Sequence, residues 1–497
     1  MDTKHVDIAI IGAGICGISS AVHLRLHCPD KTFVILERRE NTGGTWDLFR
    51  YPGIRSDSEM YIYGFEFKPW TDPKAIGEGA SILAYLRETI AEYGLNPHIR
   101  LGSAVESAHF SSQSGLWTIK GVRNGEPFEL TANWCFMCTG YYDYEKGYLP
   151  EFAGYDDFKG TIVHPQQWPE NLDYLQKRVV VIGSGATAIT LVPALANTGA
   201  AHVTMLQRTP TWMVSRPTED RFEQRLQHRL PAKLAYRLIR FRSIWMQQTL
   251  YKFAQRWPKR IASTLVSRVR KQLTAGYDVE KHFIPPYKPW DQRLCLVSDG
   301  DLFEAINAGQ VEVVTERIER FTEGGILLES GREVPADIIV TATGLLHKMM
   351  AGIDIQTDGK PFVIGTKIVY KGVLFDHTPN LAMWIGSGGG SLTLRADTVS
   401  TFMCRLLQHM ERTGVSIATP TPAQPIEKTE YFIVSSAGYI QRTLDQMPLK
   451  GMRAPWRLGP NYTANRRLLR DGPIDDEIVF SNPVLRGDRH SSDRPVH

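Results

Sequence analysis

Three stretches share one pattern of apolar and polar positions. Each has a short, mostly β-branched apolar run, a glycine-rich turn or chain reversal, and then helical or strand periodicity. The first covers residues 6–24 and is followed by an apolar run at 33–36. The second covers 178–196 and is followed by 202–206. The third is a run at 336–340 that ends in Ala342-Thr343-Gly344. Continuous apolar runs of this length predict strands buried on both faces, and their alternation with helices predicts an α/β fold with parallel sheets. The first two units lie about 170 residues apart, a domain-scale duplication rather than a solenoid repeat.

Residues 221–271 break this pattern. They hold fourteen Lys or Arg and one acid, Glu223. Leu230, Leu234, Leu238, Phe241 and Trp245 fall on one narrow helical face, flanked by Lys233, Arg237, Arg240 and Arg242. This predicts a helical insertion with two uses for its stripe. One is packing on the core with the charges solvated, which is the expectation. The other is peripheral contact with an anionic membrane surface. From about Met452 the chain is rich in Arg, Asp, Pro and Asn and reads as an extended tail wrapping the surface, with a disordered end. The expected layout is a first sheet domain over 1–145 and 345–451 and a second over 146–220 and 286–344. The insertion occupies 221–285 and the tail 452–497.

The chain has 497 residues, enough for about three domains. The net charge of +4 excludes a dedicated nucleic-acid binder, yet it hides a local +13 in 221–271 against −9 elsewhere. Six cysteines are too few for a disulfide framework. With no signal peptide at the start, a cytoplasmic protein is expected, peripheral to the membrane only if the insertion binds it.

Gly12-Ala13-Gly14-Ile15-Cys16-Gly17 follows the first apolar run and opens a helix, and Glu37 ends the next strand twenty residues after Gly17. This is the GxGxxG fingerprint: a tight turn, close backbone approach to a pyrophosphate at a helix N-terminus, and an acid for a ribose hydroxyl. It suits FAD or NAD. Gly183-Ser184-Gly185-Ala186-Thr187-Ala188 is the GxGxxA variant after the second run. There Arg208, followed by Thr209, replaces the ribose acid, and a guanidinium pairs with a 2′-phosphate, so this site should prefer NADPH. Two Rossmann-like dinucleotide-binding domains in one chain predict a relay of hydride from NADPH to FAD.

Phe158-Lys159-Gly160-Thr161-Ile162-Val163-His164-Pro165-Gln166-Gln167-Trp168-Pro169 matches FxGxxxHxxxWP, and Gly43-Gly44-Thr45-Trp46 through Tyr51-Pro52-Gly53 to Asp57 matches GGxWxxxx[FY]PGxxxD. Residues 337–344 match a third motif ending Ala-Thr-Gly. In these residues the chain resembles the type I Baeyer–Villiger monooxygenases, and within them the ethionamide-monooxygenase subgroup. The resemblance implies that reduced flavin and O2 give a C4a-peroxyflavin that attacks a ketone, yielding an ester or lactone. It also implies that His164 and Trp168 lie in a linker coupling domain rotation to catalysis. Thr45, Trp46, Asp47, Leu48 and Asp57, with Gly44, would line the flavin. Arg55, Ser56 and Asp57 would face the nicotinamide, and Val105 would touch the adenine through its backbone. Arg293, in Trp290-Asp291-Gln292-Arg293-Leu294, matches the family's active-site arginine, with Asp57 to orient it. Many family members carry, before that Arg, a Lys that helps to hold NADP; here the position is Gln292, which brings no charge.

The substrate is expected to be a small lipophilic ketone or sulfide, with O2 as co-substrate. Alternatives are an S- or N-oxygenase without ketone activity, a non-oxygenating NADPH reductase, and a non-enzymatic flavin-binding adaptor. Cys135-Phe136-Met137-Cys138 invites a dithiol reading, but residues three apart on a strand point to opposite faces. The histidines show no metal spacing, so no metal is expected. The loop 386–390 with 393–397 could cap the pyrimidine end of the flavin, or be a plain helix start.

Overall fold

The apolar run at the N-terminus forms strand His5–Ile11, buried on both faces: Ile8 and Ile10 lie in one core and Val6, Ala9 and Ile11 in another. In the computed structural model, which describes residues 4–292, 294–386, 391–433 and 437–483, it pairs with Phe33–Leu36 on one side and Glu126–Met137 on the other. Ile99–Arg100 and Leu381–Met383 extend this parallel set. The hairpin strands Ser103–Ser111 and Leu116–Arg123 continue the same sheet in antiparallel sense, for eleven strands among the described residues. Helix Ile15–His27 packs between the sheet and the long helix Leu392–Thr413.

The second domain is a five-stranded parallel sheet among the described residues. Its order is Val311–Thr315, His202–Gln207, Arg178–Ile182, Ile338–Thr341 and Thr161–Val163. Asp337 clamps the start of Arg178–Ile182 by accepting from the backbone and side chain of Arg178, which holds its carboxyl down at about 2.

The insertion is helical: Arg221–Arg229, Ala232–Arg256 and Pro258–Arg270. The face it buries is not the expected one. Ala235, Tyr236, Ile239, Arg240, Ser243 and Ala254 face the protein, whereas Leu234, Leu238, Phe241 and Trp245 are exposed and Leu230 is half-buried. Tyr236 and Ile239 join the core of the first domain, and Val269 joins that of the second.

Arg240 decides the orientation. Its guanidinium donates to the carbonyls of Tyr61 (2.9 Å) and Gly64 (2.7 Å) and lies 3.4 Å from buried Asp397. The other oxygens of this knot are equally committed. Asp397 accepts from Ser19 Oγ (3.0 Å) and from the Glu66 backbone (2.7 Å). A charge read from sequence as a solvated flank is thus the anchor, because buried carbonyls and a carboxylate need a donor.

The described part of the tail is also not extended. Helix Tyr462–Asp471 buries Leu469 against Leu392–Thr413, and Ile478–Ser481 pairs with Ile417–Pro420. Its polar composition serves buried partners: Asp476 meets the fully buried Lys371 at 2.6 Å. The predicted disordered end lies outside the described residues.

Candidate active site

Both glycine turns stand where the sequence placed them. Gly12, Ala13 and Gly14 link His5–Ile11 to a helix containing Cys16 and Gly17. Gly12 has φ +106°, and a Cβ there would sit 2.6 Å from the Cys138 carbonyl oxygen, so only glycine makes this turn. The buried Glu37 accepts from the Ala13 backbone (2.7 Å) and the Arg39 backbone (2.9 Å), while burial pushes its carboxyl up. Each oxygen keeps a lone pair for a further donor such as a ribose hydroxyl. Gly183, Ser184 and Gly185 lead into Ala186–Asn197, with Thr187 and Ala188 in its first turn. Ser184 Oγ donates to the Thr209 carbonyl (2.9 Å), tying this turn to the end of His202–Gln207. Beside it Arg208 is exposed, its guanidinium held by no carboxylate among the described residues.

Residues 43–57 run from the first turn to the helix that follows the second. Gly43 donates to the Ala13 carbonyl (3.0 Å), and Gly44 lies against Gly14. Phe49 and Tyr51 then bury in the core of the second domain, and a Cβ on Gly53 would sit 2.4 Å from the Thr190 carbonyl oxygen in helix Ala186–Asn197. Within this loop Thr45 Oγ1 meets the Tyr144 hydroxyl (3.3 Å), and the Trp46 indole donates to the Tyr63 hydroxyl (2.8 Å). Asp47 and Arg55 turn their charged ends elsewhere. Asp47 is buried among Arg39 (2.7 Å), Arg87 (3.3 Å) and Arg50 (3.7 Å). Arg55 pairs with Asp301 of the second domain (2.6 and 3.3 Å). The Asp47 side chain therefore fixes the loop and that of Arg55 the domain interface. Leu48 packs on the second domain's core, Ser56 Oγ accepts from Gly77, and half-buried Asp57 accepts from Ser58 Oγ (3.4 Å). Val105 sits at a register break between Ser103–Ser111 and its neighbour, which takes Glu106 out of the ladder. Arg293 and Ser387 to Gly390 lie outside the described residues.

The linker closes on His164. Strand Tyr142–Gly147 leaves the first domain and pairs antiparallel with the returning strand Leu345–His347. His164 Nε2 donates to the Gly344 carbonyl (3.1 Å) and its Nδ1 accepts from Gln166 N (3.2 Å). These partners require the neutral Nε2–H tautomer, and burial lowers the ring's pKa in the same sense. The ring occupies the space a side chain at Gly147 would fill, 1.9 Å from its ideal Cβ position. Gln166 donates to the Asp143 carbonyl (2.6 Å) and Gln167 to that of Glu145, while Trp168 packs with Tyr174 on the second domain. The two glutamines stood inside a motif as polar residues without a role. Gly147 and Asp301 carried no signal, because their partners are distant in sequence.

The turns fit dinucleotides. Gly14 and Gly185 cap their helices without a side-chain acceptor, leaving the first backbone N–H groups to a ligand, and the space beside Gly185 is open. Thr393 Oγ1, buried at the start of Leu392–Thr413, has no hydrogen-bond partner among the described residues. The dithiol reading fails. Cys135 and Cys138 lie in cores on opposite sides of the sheet, and burial pushes the Cys135 thiol up to about 12 and that of Cys138 upward too.

Fold and site together define a two-dinucleotide-domain flavoprotein of the monooxygenase class. The chain belongs to the flavin-binding monooxygenase-like family, whose model matches residues 4–351. It is 51% identical to the FAD-containing monooxygenase EthA of Mycobacterium tuberculosis over 476 residues, 96% of this chain and 97% of that one. It is 46% identical to the probable FAD-binding monooxygenase AlmA of an Acinetobacter species over 495 residues, 99% of each. Its fold is that of a steroid monooxygenase solved with NADP (TM-score 0.77, 20% identity, 96% of this chain and 100% of that one). It is also that of cyclohexanone monooxygenase in an open form (TM-score 0.74, 23% identity, 97% and 100%). The resemblance is thus borne out: the family is that of the flavin-binding monooxygenases, with EthA among the relatives, and the fold is that of the Baeyer–Villiger enzymes.

Proposed function

We propose that this chain is an FAD-containing, NADPH- and O2-dependent monooxygenase that inserts one oxygen atom beside a ketone carbonyl to give an ester or lactone, with lipophilic sulfides as a second substrate class. The second oxygen atom leaves as water. One observation supports this reading: the loop 43–57 runs from the first glycine turn to the helix that follows the second, so cofactors held on the two turns would approach each other along it.

In this reading Gly12, Gly14, Cys16, Gly17 and Glu37 hold the adenosine and pyrophosphate of FAD, with the Val105 backbone against its adenine. Gly44, Thr45, Trp46, Asp47 and Leu48 flank the flavin, mostly through backbone. Gly183 to Ala188 hold the NADPH pyrophosphate, Arg208 and Thr209 its 2′-phosphate, and Arg55, Ser56 and Asp57 line the nicotinamide side. FAD held there would supply the chemistry of hydride acceptance and O2 activation. The chain's own task is to position and to hold charge. Arg293 cannot lose its proton, so its guanidinium can hold the oxyanion that forms when the ketone carbonyl is attacked. Asp57 orients that guanidinium, and His164 with Trp168 sets the domain angle that brings nicotinamide to flavin.

The test is NADPH consumption with a panel of ketones and sulfides under isotopically labelled O2. Label is expected in an ester or lactone. Its absence from every product refutes the oxygenase reading, and label in sulfoxides alone removes the ketone half. Arg293→Ala should leave flavin reduction by NADPH near wild type and cut ester formation by ~100-fold or more. An unchanged ester yield would remove Arg293 from its role.

A further inference from the structure

We propose that the outward face of helix Ala232–Arg256 is a docking surface for an anionic lipid bilayer. Leu234, Leu238, Phe241 and Trp245 form a narrow ridge on the side opposite the buried Tyr236, Ile239 and Arg240, and Phe241 and Trp245 are 72% and 59% exposed. Further along, Phe253 and Trp257 stack on each other at 5.2 Å and are exposed as well. From Leu234 to Trp257 the helix runs ~35 Å, long enough to lie along a membrane surface. Among the described residues no helix is long and apolar enough to cross one.

Charge selects the occupant. Lys233, Arg237, Lys252, Arg256, Lys259 and Arg260 are all exposed around the ridge. Glu223, the one acid of residues 221–271, is buried beside Arg242 (3.2 Å), so the face carries cations without exposed carboxylates of its own. Aromatic and leucine side chains along a ridge with basic residues beside it match the boundary of acyl chains and acidic headgroups. A second copy of the chain is disfavoured, because it would press two faces of exposed lysines and arginines together.

The helix is also rigidly mounted. Arg240 ties it to the Tyr61 and Gly64 carbonyls, four and seven residues beyond Asp57, so a docked helix holds this end of the loop 43–57 near the bilayer. The surface stands whichever carbonyl or sulfur compound the site oxidises.

The experiment is co-sedimentation of the full-length, FAD-loaded protein with vesicles of equal parts phosphatidylcholine and phosphatidylglycerol, and with phosphatidylcholine alone. Binding is expected to the mixed vesicles, to fall with added salt, and to drop at least ~10-fold in F241D/W245D. NADPH oxidation with a water-soluble ketone should be unchanged in that variant. K233Q/R237Q, milder in its demands on folding, should weaken binding to the anionic vesicles in the same direction. Several results overturn the proposal: no co-sedimentation of the wild type, equal binding to neutral vesicles, or unchanged binding of both variants. A wild-type dimer that F241D/W245D dissociates, without vesicle binding, would also overturn it and make the face a contact between copies.

Discussion

Replacing Gly147 with Ala tests how the linker is held. The new methyl would lie 1.9 Å from His164 Cε1, 2.2 Å from Nε2 and 2.5 Å from Nδ1. No small adjustment relieves three such contacts, so the ring must leave its seat. It then loses its bond to the Gly344 carbonyl and the one it accepts from Gln166. At ~1 kcal/mol for each bond and ~1–3 kcal/mol for the overpacking, the substitution should cost about 3–5 kcal/mol. The cost comes from the imidazole, so it should shrink to within ~1 kcal/mol once the ring is gone. His164→Ala with and without Gly147→Ala closes a double-mutant cycle. Urea unfolding gives the stabilities, and the fraction of NADPH oxidised that appears as oxygenated product gives the functional coupling. Gly147→Ala alone should lower both. Additivity of the two substitutions within ~0.5 kcal/mol would refute the reasoning, because the ring and the methyl would then not compete for one space.

Three further outcomes are expected. Arg208→Ala should raise KM for NADPH by ~10-fold or more and leave that for NADH nearly unchanged, as loss of a charge-assisted bond to a 2′-phosphate requires; equal effects would remove Arg208 from that site. Asp397→Ala should destabilise the protein by ~3–5 kcal/mol in urea unfolding, because it strands the buried Arg240 among carbonyls; a change under ~1 kcal/mol would show that those carbonyls suffice. Burial and the Arg442 charge push the His347 ring from its usual 6.5 down to about 4. The native state therefore favours the neutral ring, whose stabilisation is complete above 6.5 and is lost as pH falls from there to about 4. His347→Phe should flatten unfolding stability across that window, and an unaltered acid limb would contradict it.

Much of the site was legible because its residues act locally. A glycine turn between a β-branched run and a helix needs only neighbouring residues to specify it, so both dinucleotide turns and Glu37 stand where their spacing put them. The two faces of Cys135 and Cys138 followed from strand alternation alone. Asp47 and Arg55 were legible as motif members but not by where their charges go. That depended on Arg87 and Asp301, forty and 246 residues away.

The amphipathic insertion draws the line between the two sources of order. Residue order determined its helices, its ridge and its +13, since propensity and helical periodicity are properties of adjacent residues. Only the tertiary structure decided which side faces in. An apolar stripe lowers its free energy on any apolar partner, whereas buried carbonyls at Tyr61 and Gly64 beside the Asp397 carboxylate demand a donor at one position. Arg240 supplies it, and the stripe is left facing outward. The seat of His164 at Gly147 was decided in the same way, because a space is created by elements meeting and no single stretch of sequence encodes it.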